Sequence, residues 1–420
     1  MYEKIREILG NAGKIFEQDV EYAPNNKFFA YFCVMKKRKR MRKMDRPLLT
    51  KIVVAGVNAL LLSLLVFAGD RLDYSLGGEG SIMKKIETLR GLTATERFEV
   101  ADNFVAVNVG YDREFIPALD CFDMPVGRRS VVDRGKLAQF LDSIDGASYR
   151  SLVVDVQFFE SDSTEADESL FAALRRLPRL VLAENADDDA VKCLPDSLFA
   201  FSEYGTTLDE NNFVKYIYAG GSRPSIARRV YQIETSDRST GASALYLPLP
   251  YRIGEGYDDE FNKTVYHLGA DILDVYTREE LAELVAGRTV VVGDYYVTDT
   301  HDSYVGEISG PEITINAIIA LRHGKDRINW WVAAMMFAVY FCVSLAAMVD
   351  VAAHLPFGLG RRRVWRFAMS FVSFSLVIFS MTVVIYLLTG VFHDVFFTTL
   401  WMTIFYFIYP KIRNKYPDRL

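Results

Sequence analysis

Four apolar stretches constrain this chain of 420 residues more than any other feature. They run over Ile52–Gly69, Ile328–Val349, Phe367–Thr389 and Val391–Tyr409. About 20 apolar residues cross the roughly 30 Å of bilayer hydrocarbon, so each is long enough to span, the first with slight thinning. The run KKRKRMRK at residues 36–43, followed by Arg46, precedes the first stretch. Basic residues stay on the cytoplasmic side, which places the N-terminus inside. Alternation then puts residues 350–366 and 410–420 inside as well, and both are basic. The first holds Arg361, Arg362, Arg363 and Arg366, the second Lys411, Arg413, Lys415 and Arg419. The expected arrangement has a cytoplasmic segment 1–50, a transmembrane helix at 51–69, and an extracytoplasmic domain at 70–326. Three further helices at 328–349, 367–389 and 391–409 close it.

The formal net charge of −6 hides a split. Residues 70–326 carry a large excess of Asp and Glu, and the remainder an excess of Lys and Arg. Phosphate backbones need a positive surface, so an acidic outer domain excludes nucleic acid as its partner. The basic run reads as topogenic, with anionic lipid as a compatible contact. Residues 1–30 lack a hydrophobic segment, so the first span is expected to act as the export signal without cleavage. Of four cysteines, Cys33 falls in the cytoplasmic segment and Cys342 in a span. Cys121 and Cys193 share the outer domain, either bridged in an oxidising compartment or as two small buried side chains.

Ile5, Ile8, Leu9, Ala12, Ile15 and Phe16 recur at helical spacing, which predicts an amphipathic helix on the inner leaflet. The run FFAYFCVM at 28–35 is too short to span and reads as an interfacial anchor or docking surface. The outer domain alternates strand and helix. Strands are predicted at Phe104–Val109, Leu152–Phe159, Leu180–Ala183 and Thr289–Gly293. Helices are predicted at Val132–Ile144, Asp167–Leu177, Arg278–Ala286 and Pro311–Arg322. A middle β-rich part, Phe213–Ala219, Ala244–Tyr251 and Thr264–Leu268, suggests an antiparallel extension. The fold class is therefore α/β: a mixed, largely parallel sheet with helices on both faces, plus four transmembrane α-helices. Gly324–Arg327 joins the last soluble helix to the second span with little slack, so movement of that helix is expected to displace the span.

No nucleophile elbow, phosphate loop, zinc spacing or dinucleotide loop occurs in the sequence. No catalytic residue, metal ligand set or cofactor is therefore nominated. Carboxylates gather after the strands: Asp112, Asp155, Glu160, Asp162, Asp294 and Asp299, with His301 close behind. Ligands of α/β sheets bind beyond the carboxyl ends of parallel strands, although Asp in such places also caps helices and folds turns. Asp155 lies between two valines, where an unpaired carboxylate is costly. Arg113, Arg128 or Arg129 is expected to pair with it. Its removal would then strand that cation at a cost of roughly 1–3 kcal/mol. Within the spans, Asn58 is placed to bond a neighbouring helix, and Asp394 with His393 sits at the outer interface.

In order along the chain stand VAVNVGYDREF at 105–115, RRSVVDRGKLAQFLD at 128–142 and SLVVDVQFFESDSTEADESLFAALRR at 151–176. LVLA at 180–183, TLDENNFVKYIYAGGSRPSIARRVYQ at 207–232 and RTVVVGDYYVTDTHDSYVGEISGPEITINAIIALRHG at 288–324 come next. This series resembles the second type of CHASE domain, the extracellular sensory domain associated with cyclases and histidine kinases. Asp112, Arg134, Asp155, Phe158 or Phe159, Asp162 and Asp167 match the family's first half. Asp299 and His301 match its Asp-x-His, and Asn316 the Asn of its last helix. Ser130-Val131-Val132-Asp133 stands where the family has an aromatic–proline pair. Three membrane helices after the domain also resemble the family.

The resemblance implies sensing and does not imply an enzyme, and none is expected. Family members continue into a kinase or cyclase, and no such segment follows the last span in this sequence. The expectation is a multi-pass protein of the bacterial cytoplasmic membrane with both termini inside. It binds an unknown extracytoplasmic ligand and relays a signal to a cytoplasmic or membrane partner, with homodimerisation left open. The rival reading is a non-signalling envelope scaffold. Candidate ligand-binding residues are Asp112, Arg113, Asp155, Glu160, Asp162, Asp299, His301 and Asn316.

Overall fold

A computed structural model describes residues 46–70, 74–75, 79–91, 102–119, 122, 124–159, 161–184, 191, 193–207, 212–220, 223–238, 244–249, 265–325, 330–348, 363–389, 392 and 395–415. The chain separates into two units, Met1–Ile52 and Val53–Leu420. The first contributes only the start of one helix to the described residues, and the sheets and all other helices belong to the second. The N-terminal amphipathic segment, the run at 28–35, Cys121, Glu160, the connector 326–329, His393 and Asp394 lie outside the described residues.

Ten helices are described: α1 Arg46–Asp70, α2 Glu79–Gly91, α3 Arg134–Ser143, α4 Asp167–Arg176, α5 Ile226–Thr235, α6 Arg278–Val285, α7 Gly310–Arg322, α8 Trp330–Met348, α9 Arg363–Thr389 and α10 Phe396–Lys415. The strands are β1 Tyr74–Ser75, β2 Phe104–Asn108, β3 Arg113–Leu119, β4 Pro125–Val132, β5 Ser151–Asp155, β6 Leu180–Glu184, β7 Phe199–Phe201 and β8 Tyr204–Thr207. They continue with β9 Phe213–Ile217, β10 Ala219–Gly220, β11 Arg223–Pro224, β12 Ala244–Tyr246, β13 Val265–His267, β14 Thr289–Gly293, β15 Thr300–Ser303 and β16 Gly306–Ser309.

The main sheet has six strands in the order β13-β2-β14-β5-β6-β7, all parallel. FVAVN, SLVVD, LVLAE and TVVVG are near-continuous apolar runs, as a sheet covered on both faces requires. Successive side chains point to opposite faces. Val105, Val107, Leu152, Val154, Leu180, Leu182, Val290 and Val292 enter a core with α3, α4 and α6. Phe104, Ala106, Val153, Val181, Ala183 and Val291 enter another, with α2, α5, α7 and a second sheet. Asp133 caps α3 by accepting from the Lys136 amide, and Thr277 and Glu280 form a capping box on α6.

The second sheet is mixed, in the order β1-β8-β9-β15-β16 with β12 also on β9. The expected antiparallel extension corresponds to β8, β9 and β12. Two expectations need correction. Thr264–Leu268 does not belong to that extension: Val265–His267 is the edge strand of the parallel sheet, beside β2. The strand expected at Leu152–Phe159 ends at Asp155, because the ladders with β14 and β6 stop there and the chain turns over the sheet edge. The β3–β4 ribbon stands apart from both sheets. Its sequence does not announce it, because residues 125–130 are all exposed and lack alternation.

α1, α8, α9 and α10 share an apolar cluster that includes Leu62, Val66, Met336, Tyr340, Ile378, Met381 and Met402. The Asn58 amide donates to Ser344 Oγ at 2.9 Å, and its carbonyl oxygen accepts from Trp401 Nε1 at 2.9 Å. One polar side chain thus ties α1 to both α8 and α10, as expected of Asn58. Among the described residues, two helices are long and apolar enough to cross a membrane, Leu48–Gly69 and Trp330–Met348, and Phe371–Leu387 is a shorter apolar helix.

Candidate functional site

Four strands of the main sheet end on one rung, β13 at His267 beside Asn108. Gly293 of β14 is paired in register with Asn108 of β2 on one side and Asp155 of β5 on the other. Beyond this rung the chain folds into tight turns. Asp294 accepts hydrogen bonds from the amides of Tyr296, Val297 and Thr298 and from Thr298 Oγ1, at 2.6–3.1 Å. Buried Asn108 accepts from the amides of Gly110 and Tyr295. α7 starts directly over the rung. A side chain on Gly310 would place its Cβ 2.2 Å from Asp299 Oδ2, so only glycine lets the helix start and that carboxylate approach so closely.

These turns border a cleft of about 430 Å³. One wall is the carboxyl edge of the main sheet, with Asp155–Phe159, Asp294 and Thr298. Arg129–Val132 of β4 form a second, Tyr204 of β8 and His301 of β15 a third, and Gly310 and Ile313 of α7 a fourth. The cleft therefore lies where the parallel sheet, the ribbon and the second sheet meet.

Three arginines line it, and each is committed to a carboxylate. Arg113 Nη2 lies 2.8 Å from Asp294 Oδ2, with a second bond to Thr298 Oγ1. Arg129 Nη1 lies 2.8 Å from Asp162 Oδ1 and its guanidinium rests on the Phe159 ring. Arg134, almost fully buried, lies 2.5 Å from Asp167 and against the rings of Phe158 and Phe171. Burial works to raise the Asp294 carboxyl, but its hydrogen bonds from Thr298 and the turn amides outweigh it and hold the pKa below the usual range. At Asp167 burial is likewise outweighed, by hydrogen bonds from Arg134 and Thr164.

Asp155 is different. Burial and then the Asp299 charge push its pKa up to about 8, and a Thr314 hydrogen bond offsets this only in part. The pairing expected with Arg113, Arg128 or Arg129 does not occur, because Arg113 and Arg129 hold other acids and Arg128 is an exposed residue of β4 that does not line the cleft. Asp299 continues the row: its Oδ1 lies 2.9 Å from His301 Nε2, and His301 Nδ1 lies 2.7 Å from the Tyr204 hydroxyl. The Tyr204 ring packs edge-on to the imidazole at 4.7 Å, and burial raises its hydroxyl pKa, with the Asp299 charge adding to it. Asp155, Asp299, His301 and Tyr204 thus form one polar row along the cleft.

Of the residues nominated from sequence, Arg113, Asp155, Asp162, Asp299 and His301 line the cleft. Asp112 does not line it. Its oxygens accept from Lys136 Nζ at 2.6 Å and the Gly269 amide at 2.9 Å, which makes it a clasp between α3 and the turn after β13. Asn316 is buried within α7, where its amide donates to the Glu312 carbonyl one turn back. Cys193 is an exposed free thiol. Among the described residues no cluster of His, Cys, Asp and Glu could hold a metal ion. Sequence reasoning missed Tyr204, which sits in the short strand YGTT with no distinguishing pattern. Arg134 stands out in the sequence only as a family match and Asp294 only as a strand-end acid, and neither is among the nominated residues.

The CHASE2 domain family matches residues 87–349, which contain the parallel sheet, the second sheet apart from β1 and every wall of the cleft. The chain belongs to the CHASE2 family. CHASE2 domains are extracytoplasmic sensory modules of signalling proteins, so the α/β domain of this chain is a sensory domain. No curated protein and no solved structure matches the chain. The cleft of this CHASE2 domain is consequently known from its own geometry.

Proposed function

We propose that this CHASE2 protein binds a small polar ligand in the cleft at the carboxyl edge of its parallel sheet and relays that state to a separate signalling partner. One observation carries the reading. The fold neutralises every arginine of the cleft with a carboxylate of its own, yet gives Asp155 no cation among the described residues and sets it within the field of Asp299, whose own partner is His301. A carboxyl whose proton is retained this far by burial and a neighbouring charge, inside a cleft, is a feature of binding sites more often than of structural ion pairs. Donor groups or positive charge on a ligand would meet the pair, and the cleft's volume suits a small molecule. The protein acts as a sensor and performs no chemistry itself.

The surrounding architecture is read as four membrane spans in the bacterial cytoplasmic membrane, with both termini inside and the domain outside. Two apolar helices, the basic flanks and the shared packing of α1, α8, α9 and α10 support this. A thermal-shift screen of small polar compounds against the full chain in detergent tests the proposal, with Asp155→Asn and His301→Ala as controls. A compound that stabilises the wild type and neither variant is expected. Hits that stabilise all three alike would show that this cleft is not the binding site.

A further inference from the structure

The second sheet forms a wall of the cleft and also grips the ends of the flanking helices. Tyr204 of β8 pairs opposite Tyr216 of β9, and Gly205 opposite Lys215. β15, which carries His301, meets β9 at Ser303 opposite Phe213. β9 is therefore bonded to both strands that supply the Tyr204–His301 end of the polar row.

Lys215 is 1 % exposed. Its ammonium donates to the Gly69 carbonyl at 3.1 Å and lies 4.5 Å from the centre of the Tyr246 ring. Gly69 belongs to the last turn of α1, where carbonyls lack partners within the helix and a cation is favoured. A buried ammonium is costly, and an apolar side chain of similar length would pack there at less expense. What the lysine adds is a bond to the end of that helix. The chain then returns to the same sheet, as Tyr74 and Ser75 pair beside Thr206 and Thr207 of β8. Tyr246 of β12 also packs edge-on against Phe392 at 5.1 Å. Phe392 is fully buried in the connection between α9 and α10, and with Tyr386 it belongs to the same core as the second sheet.

We propose that β9 is the strut by which the state of the cleft reaches α1 and the α9–α10 connection, with Lys215 as its joint to α1. This route rests on the sensory reading of the cleft and differs from the one expected through α7 and α8. A shift of Tyr204 or His301 moves β8 or β15, the ladder moves β9, and Lys215 carries the displacement to the helix end.

The test uses the full chain in lipid nanodiscs, without native cysteines, with nitroxides at exposed Ala68 in α1 and at Phe337 in α8. Pulsed electron resonance reads the distance between them. His301→Ala, which cuts the row between Asp299 and Tyr204, is expected to displace the distance distribution. Lys215→Met is expected to abolish that displacement and Lys215→Arg to retain it. Should the methionine variant fail to accumulate, Tyr246→Leu removes the ring between Lys215 and Phe392 and is expected to weaken the displacement. The same displacement in Lys215→Met or Tyr246→Leu as with the native strut, or none in any background, would overturn the proposal. No ligand enters this experiment, so a cleft that binds nothing would leave its outcome unchanged.

Discussion

Replacing Asp155 by Asn should stabilise the protein, and more so at high pH. The unfolded chain loses the Asp155 proton near 3.8, whereas the folded chain keeps it to about 8. Below the lower value both states are protonated and the carboxyl imposes no penalty. Between the two values the unfolded state binds fewer protons, so stability falls as pH rises, and the loss is complete above about 8. At about 1.4 kcal/mol per unit the displacement sets a ceiling of about 6 kcal/mol. Asp155 keeps partial exposure to the cleft, and solvent screening brings the figure to about 2–3 kcal/mol. Asparagine has no such titration and can still accept from Thr314. Hydrogen exchange of the β5 amides in the full chain, compared between wild type and variant, reads the difference. The variant should gain about 2–3 kcal/mol at pH 8.5 and less than about 1 kcal/mol at pH 5. This reverses the sign expected from sequence, where an arginine partner would have been stranded. A variant less stable at pH 8.5, or a gap equal at both pH values, would show that a cation satisfies this carboxylate after all.

Arg134→Met leaves the Asp167 carboxylate without its buried partner, and should cost about 3 kcal/mol, measured as a lower thermal midpoint. Gly310→Ala forces Asp299 off His301 and should cost about 1 kcal/mol while abolishing any ligand-dependent thermal shift. Asn58→Leu leaves Trp401 Nε1 without its acceptor and should weaken helix association by about 1–2 kcal/mol, with amide protection of the main sheet unchanged. For topology, a membrane-impermeant thiol reagent applied to intact cells should label a cysteine placed at exposed Ser169 and miss one placed at Arg362. Labelling at Arg362 would overturn the four-span arrangement.

The strands and helices of the main sheet were legible because its signal is local. Val/Leu runs that end in Asp or Gly, followed by helical spacing, can be read without knowing what packs on them. The same logic pointed to the carboxyl edge, where Asp155, Asp299 and His301 line the cleft. It did not show that Asp112 lies off the cleft, where it clasps Lys136 and the Gly269 amide. Nor did it show that Asn316 is buried within α7, because position in a family motif says nothing about which face of a helix is buried. Tyr204, β15 and β16 were not legible, since short polar strands form only when a partner strand supplies the ladder. Lys215 is the plainest case: in FVKYI it reads as an ordinary strand lysine, and its bond to the end of α1 lies far away in the sequence.

The most direct measurement is a hydrogen-exchange map of the full chain with and without a compound that the thermal-shift screen identifies. Added protection should concentrate in residues 155–159, 202–206 and 294–301, the segments that line the cleft. Protection confined to the opposite core, in α3 and α6, with those three segments unchanged, would contradict a ligand site at this edge of the sheet.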